Sequence, residues 1–103
     1  MKPMGRFRLS TLARVDLASI HHYIAAENES AAKRLIERLF SEFHLLAENP
    51  GIGQARSDLR PNLRTLTHGN YVVLFYPIEN GVEVAGIIHG ARDMEALFRT
   101  GER

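Results

Sequence analysis

The sequence predicts an α+β fold, and three observations carry that prediction. Two consecutive stretches with helical hydrophobic spacing are joined by the short polar link "AAENES". Three β-branched and aromatic runs follow, separated by the turn signals "HGN" and "ENG". A short alternating segment, "RFRLS", precedes them all. Helices grouped ahead of a run of strands form layers in which the helices cover one face of a small sheet.

"RFRLS" (Arg6 to Ser10) alternates apolar and polar residues as a short strand does. It stops at Ser10-Thr11, either of which can cap a helix. Ala13, Leu17, Ile20 and Ile24 then recur at helical spacing with Tyr23 alongside, giving one apolar stripe. The pattern breaks at "AAENES", where Asn28 or Ser30 is placed to cap the next helix. In that helix Leu35, Ile36, Leu39, Phe40, Phe43, Leu46 and Ala47 share one face over several turns. Asn49-Pro50-Gly51 ends it, because proline cannot continue the ladder and glycine frees the backbone. The short link implies an antiparallel helical hairpin.

Past "GIGQARSDLRPN" (Gly51 to Asn62) the helical period is lost. "LRTLT" reads as a short strand, "HGN" (His68 to Asn70) as a tight turn, and "YVVLFY" as a strand apolar on both faces and therefore central. "ENG" (Glu79 to Gly81) is a hairpin turn of the Asn-Gly kind, and "VEVAGII" returns as the last strand. These strands form an antiparallel meander. The order is strand, helical hairpin, three strands, and a short C-terminal helix in "MEALF", with Asp93 placed to cap it and Gly90 loosening the strand exit.

Composition bounds the function classes. A chain of 103 residues has material for one domain, residues 1–103, and its 45% hydrophobic content is that of a globular protein. Cysteine is absent, which excludes disulfides, thiolate metal sites and thiol nucleophiles and fits the cytoplasm. "MKPMGRFRLS" lacks the continuous apolar region of a signal peptide, and "YVVLFYPI" is too short to span a bilayer. Thirteen basic residues face 12 acidic ones, so a basic surface for nucleic acid has to come from local clustering.

The polar residues offer two kinds of chemistry. His21 and His22 are helical neighbours roughly 100° apart and cannot grip one metal as an i, i+4 pair does. No metal site and no cofactor are expected. Arg56, Arg60, Arg64 and Arg92 form a basic set that suits an RNA phosphate or an acidic protein partner, or else a solvated rim. Arg64 opens its strand opposite Leu63 but on the face of Leu66, so the pattern leaves open which face is buried. An RNase needs a general base, a general acid and charge stabilisation around one phosphate. Arg64, His89 and Arg92 are the residues that would supply them, although the lysines are confined to Lys2 and Lys33. Leu12 and Val15 lie off the main stripe of the first helix and read either as a docking groove or as a wider buried stripe.

The ordered motifs resemble one family. "ARVDLASIHHYI" resembles the A-x-x-D-L-x-x-I-x-x-Y-I first-helix pattern of ParE toxins, a branch of the RelE/ParE superfamily of bacterial toxin–antitoxin pairs. "LLAENPGIGQAR" is similar to its L-A-x-x-P-x-x-G-x-x-R segment, with Pro50, Gly53 and Arg56 in place. Leu63, Arg64 and Tyr76 match its L-R strand and the following apolar strand, and "IIHGARD" resembles its I-x-H-x-x-R-D ending. The resemblance covers nearly the whole chain. It implies the RelE/ParE-like fold, a ParD-like antitoxin that wraps the toxin, and DNA gyrase as the target.

The RelE branch instead cleaves messenger RNA on the ribosome, and Arg92 stands where that branch places a catalytic arginine. Here the nearest later aromatic is Phe98, which has no hydroxyl, and Arg56 and Arg60 stand in place of a lysine cluster. With the near-neutral charge, these departures favour the ParE branch. The expectation is a gyrase-inhibiting toxin that forms a hetero-oligomer with its antitoxin through Leu12 and Val15. Neither membrane insertion nor direct sequence-specific nucleic-acid binding is expected.

Overall fold

The computed structural model of the chain describes residues 5–90 together with Asp93, Met94 and Ala96. Its elements run β1 (Arg6–Leu9), α1 (Thr11–Ala25), α2 (Glu29–Glu48), β2 (Gln54–Ala55), β3 (Arg64–His68), β4 (Tyr71–Ile78) and β5 (Gly81–His89). The strands make one five-stranded sheet in the order β1-β5-β4-β3-β2. Among the described strands β1 alone pairs in parallel, with β5, and the remaining pairs are antiparallel. The meander and the central place of β4 are as the sequence predicts, and the fold is α+β.

β1 turns Phe7 and Leu9 toward the helices and leaves Arg6 and Arg8 exposed. The Phe7 ring packs 5.9 Å from Phe40, 5.5 Å from Phe43 and 4.8 Å from His44. Ser10, at the end of this strand, caps α1: its Oγ accepts from the Ala13 N–H at 3.0 Å. The same hydroxyl donates to the Ala85 carbonyl at 2.9 Å. Ala85 is the residue that the β4–β5 register skips, since Leu74 faces Gly86 while Phe75 faces Val84. A bulge leaves such backbone groups without ladder partners. Ser10 supplies one for Ala85, and nearby Asp16 of α1 accepts the Ile87 N–H at 2.9 Å.

α2 is capped by Asn28, whose Oδ1 accepts from the Ala31 N–H at 2.9 Å. Its predicted stripe is the buried one: Leu39, Phe43, Leu46 and Ala47 are in the core, with Leu35, Ile36 and Phe40 packed beside them. On α1 the core residues are Ala13, Leu17 and Ile20, with Ile24 partly buried. Tyr23 corrects the expected stripe. It is 78% exposed, because it lies about 100° round the helix from Ile24 and outside the arc that meets the sheet.

The sheet has a core on each face. Val73, Phe75, Val82, Val84 and Ile87 meet the helices, whereas Leu63, Leu74 and Ile88 form a second cluster with Leu59, Val72, Tyr76, Ala85 and Met94. The segment between α2 and β3 therefore covers the face that the helices leave open. This settles the alternation in β3: Leu63 faces that second cluster, and Leu66 faces the helices. β2, which sequence reading passes over, lies within this segment. Two residues are too few for a period-2 pattern to register.

β4 continues through Pro77 and Ile78, beyond the expected end at Tyr76. β3 begins at Arg64, opposite Phe75, so Pro77 sits where β4 is flanked by β5 alone. At the hairpin, Asn80 has φ 63°. Gly81 approaches β1 so closely that a Cβ would stand 1.7 Å from the Arg6 carbonyl oxygen.

Candidate functional site

The candidate residues fall at three places: the segment after α2, the opposite end of the sheet, and the outer face of α1. At the first, Arg64 lies on the rim of the helix-facing side. Its Nε donates to the Ile52 carbonyl at 3.1 Å, and its Nη2 donates to those of Gly51 at 2.6 Å and Gly53 at 3.3 Å. An arginine fork spread over three backbone carbonyls is a clamp on the turn that leaves α2. Gly53 makes that turn possible: it has φ 79°, and a Cβ there would stand 2.3 Å from the Thr65 carbonyl oxygen. The Pro50, Gly53 and Arg64 positions of the family pattern are thus parts of one loop scaffold.

Arg56 is tied to the same scaffold. Its backbone N–H donates to the Leu63 carbonyl at 2.8 Å, and its guanidinium holds Asp58 through two bonds of 3.0 and 2.9 Å. Those hydrogen bonds hold the Asp58 carboxyl below its ordinary value of 3.8 and raise the Arg56 guanidinium. Arg60 is partly buried and donates from Nη1 to the Leu59 carbonyl at 2.9 Å. Arg56 and Arg64 are therefore each committed to partners within the chain.

At the opposite end of the sheet, His68, Tyr71 and His89 stand in register across β3, β4 and β5. The His89 ring lies edge-on to Tyr71 at 5.6 Å. His68 Nδ1 is 2.8 Å from Glu42 Oε1, a contact between α2 and β3 that nothing in the local sequence signals. His68 is the last residue of β3, with the turn formed by Gly69 and Asn70. Asp93 is a correction. Asp93 is itself helical, and its carboxylate reaches back to accept the His89 N–H at 2.8 Å. That backward bond is the reverse of an N-cap, whose side chain accepts from an N–H two or three residues ahead. Arg92, like most of the "MEALF" segment and the tail after it, lies outside the described residues.

Of the RNase set, the two described members, Arg64 and His89, stand apart. Arg64 opens β3 and His89 closes β5, four residues along and two strands across. At about 3.3 Å per residue and 4.8 Å per strand this is about 16 Å between their backbones. Arg64 also turns toward residues 51–53, so the two side chains do not meet around one phosphate.

On α1, Leu12 is 47% exposed and Val15 is 55% exposed. They stand outside the core, as the docking-groove reading requires. Among the described residues no group of three or more His, Cys, Asp or Glu could hold a metal ion. No helix among them is long and apolar enough to cross a membrane.

Against this geometry, comparison with known proteins is direct. The family model described as "ParE toxin of type II toxin-antitoxin system, parDE" matches residues 7–94. The chain belongs to the ParE toxin family. Among curated relatives, Toxin ParE1 of Caulobacter vibrioides is 32% identical over 97 residues, covering 93% of this chain and 97% of the relative. Toxin ParE3 of the same organism is 31% identical over 94 residues, covering 90% and 94%. A solved structure titled as a chromosomal ParDE toxin–antitoxin system from P. aeruginosa aligns with a TM-score of 0.70 at 20% identity, over 84% of this chain and 97% of that one. The RelBE2 toxin–antitoxin complex of Mycobacterium tuberculosis aligns with a TM-score of 0.62 at 19% identity, over 88% and 97%. At these identities the two structures speak for the shared RelE/ParE fold. In this ParE-family toxin Asp16 of the first helix accepts the Ile87 N–H and so ties α1 to β5.

Proposed function

We propose that this ParE-family toxin arrests growth by inhibiting or poisoning DNA gyrase, and that a ParD-like antitoxin holds it inactive in a cytoplasmic hetero-oligomer. The observation that carries the choice of target is the separation of Arg64 from His89. A messenger-RNA endonuclease of the RelE type has to assemble base, acid and cationic groups at one phosphate. Here the arginine is bound into a loop scaffold at one end of the sheet, and the histidine stands at the other. Without that assembly, the toxin acts by binding a protein. Arg56, Arg60, Arg64 and Arg92 are the target-facing basic positions in this reading, with Arg56 and Arg64 presented from within the loop scaffold that they also hold together. Leu12 and Val15 are the antitoxin-facing apolar ones.

The antitoxin reading is supported by relatives that carry the ParE name and by structural neighbours titled as a ParDE system and a toxin–antitoxin complex. Purified toxin is expected to change gyrase supercoiling or to trap cleaved DNA, while leaving translated messenger RNA intact. Codon-aligned cuts in a translation extract, with gyrase unaffected, would establish the RNase reading in its place.

A further inference from the structure

Arg64 engages the turn after α2 through Nε, which donates to Ile52, and Nη2, which donates to Gly51 and Gly53. Its remaining nitrogen, Nη1, makes no bond to any described residue. Arg64 also lines a cavity of about 300 Å³ between this segment and the end of β4, with Ala55, Ser57, Asn62, Leu63 and Pro77. Among these lining residues it carries the only formal charge. Leu63, which is buried, gives the cavity an apolar wall, and Ala55 and Pro77 extend it. The walls are fixed in place: Arg56 N–H donates to the Leu63 carbonyl, and Asn62 turns the chain into β3 at φ 66°. A formed cavity with an apolar wall and an unused cationic donor is a binding site in miniature.

We propose that this cavity takes an apolar side chain of the toxin's protein target, and that Arg64 Nη1 binds a carboxylate beside it on the same segment. The proposal rests on the protein-target reading above and specifies the chemistry of the contact. Charge decides the second half of it. Asp58 is the lone acid between Gly51 and Asn62, and Arg56 already holds it. Arg60 and Arg64 thus leave the segment with a basic excess, which draws an acidic partner. A carboxylate on a guanidinium nitrogen also makes a short, charge-assisted hydrogen bond.

The apolar wall decides between occupants. A nucleic-acid phosphate would meet Arg64 and leave Leu63, Ala55 and Pro77 uncovered, whereas an apolar residue next to an aspartate or glutamate satisfies both parts of the cavity. Pro77 decides the mode of entry. It has no N–H, so a partner strand gains no ladder bond from it, and the target has to enter by its side chains. Because the loop is held before binding, little ordering cost opposes the contact.

The test uses the full toxin and the gyrase holoenzyme, with affinity measured by calorimetry at low and high salt and supercoiling followed alongside. Arg64→Ala would also release the turn after α2, so two variants leave that residue in place. Ser57→Trp fills the cavity, and Ala55→Glu offers Nη1 a carboxylate from the toxin's own chain. Each is expected to weaken gyrase binding by about 10- to 100-fold. Arg38→Ala, on the exposed side of α2, is expected to stay within about 2-fold. Ser57 and Ala55 are exposed, and both variants should melt like the parent. The parent's affinity should fall as salt rises, and Ala55→Glu should flatten that dependence. If the parent inhibits gyrase and both variants inhibit it equally well, the cavity assignment is overturned while the gyrase reading stands. A parent that leaves gyrase untouched sinks the gyrase reading and this contact with it. Variants that lose antitoxin affinity while keeping gyrase affinity would assign the cavity to the antitoxin instead. Equal losses on bare duplex DNA would make it a phosphate site and overturn the proposal.

Discussion

The two helices of the hairpin do the same work on their inner sides and opposite work on their outer sides. Both bury a stripe against the sheet, Ala13, Leu17 and Ile20 from α1 and Leu39, Phe43 and Leu46 from α2. Outside, α2 alternates acidic and basic residues, the composition of a face turned to water, whereas α1 is apolar and nearly uncharged. Burial therefore accounts for most of α2, where Leu45 is the one large apolar residue left exposed, and for α1 only by half. The outer half of α1 lies outside what the fold buries.

The largest test of that contrast is a matched pair. Phe43 is fully buried, and Phe43→Ala is expected to cost about 3–5 kcal/mol in a denaturant melt. Val15→Ala on the outer face should cost within about 0.5 kcal/mol. A cost for Val15→Ala comparable to that of Phe43→Ala would mean that the outer face is part of the fold after all.

The helix caps sharpen the comparison at an intermediate scale. Asn28 makes one exposed capping bond, while Ser10 caps α1 and also donates to the bulge carbonyl of Ala85. Asn28→Ala is expected to cost about 1 kcal/mol and Ser10→Ala about 2 kcal/mol, because the latter strands a partly buried carbonyl as well. Equal costs measured by urea unfolding would show that α1 does not depend on the β5 bulge for its placement.

The smallest effect concerns pH. Arg56 holds Asp58 below its ordinary value of 3.8, so the pair contributes while Asp58 is ionised. A lowered carboxyl stabilises above its unfolded value and loses that contribution as pH falls through the folded value. A carbon-detected titration of Asp58 by NMR should show this depressed midpoint, and Arg56→Gln should raise it. The loss lies in the acid range below 3.8, leaving neutral pH unaffected. An unchanged midpoint in Arg56→Gln would remove Arg56 as the cause.

Local pattern carried much of the fold. The stripe of α2, the caps at Ser10 and Asn28, the Asn80-Gly81 turn and the apolar run of β4 each depend on residues close in sequence, where periodicity and backbone preference act directly. The ordered family motifs were legible for the same reason, since spacing along the chain is what they consist of. Tyr23 was misplaced because helical spacing gives an angle without saying where the neighbouring layer ends. Asp93 was misread because an aspartate near a helix start can accept from an N–H behind it as well as from one ahead.

The candidate site divides differently. Sequence by itself determined which side chains were available: arginines at 56, 60, 64 and 92, histidines at 68 and 89, and apolar residues at 12 and 15. Only the tertiary structure decided which of them meet. Strand register set Arg64 and His89 at opposite ends of the sheet, and the chain reversal after α2 brought three carbonyls within reach of Arg64. Contacts between residues far apart in the chain, such as Asp16 with Ile87 or Glu42 with His68, leave no local signature. They arise when the whole sheet and both helices close on one another, and that closure also leaves Leu12, Val15 and Tyr23 outside.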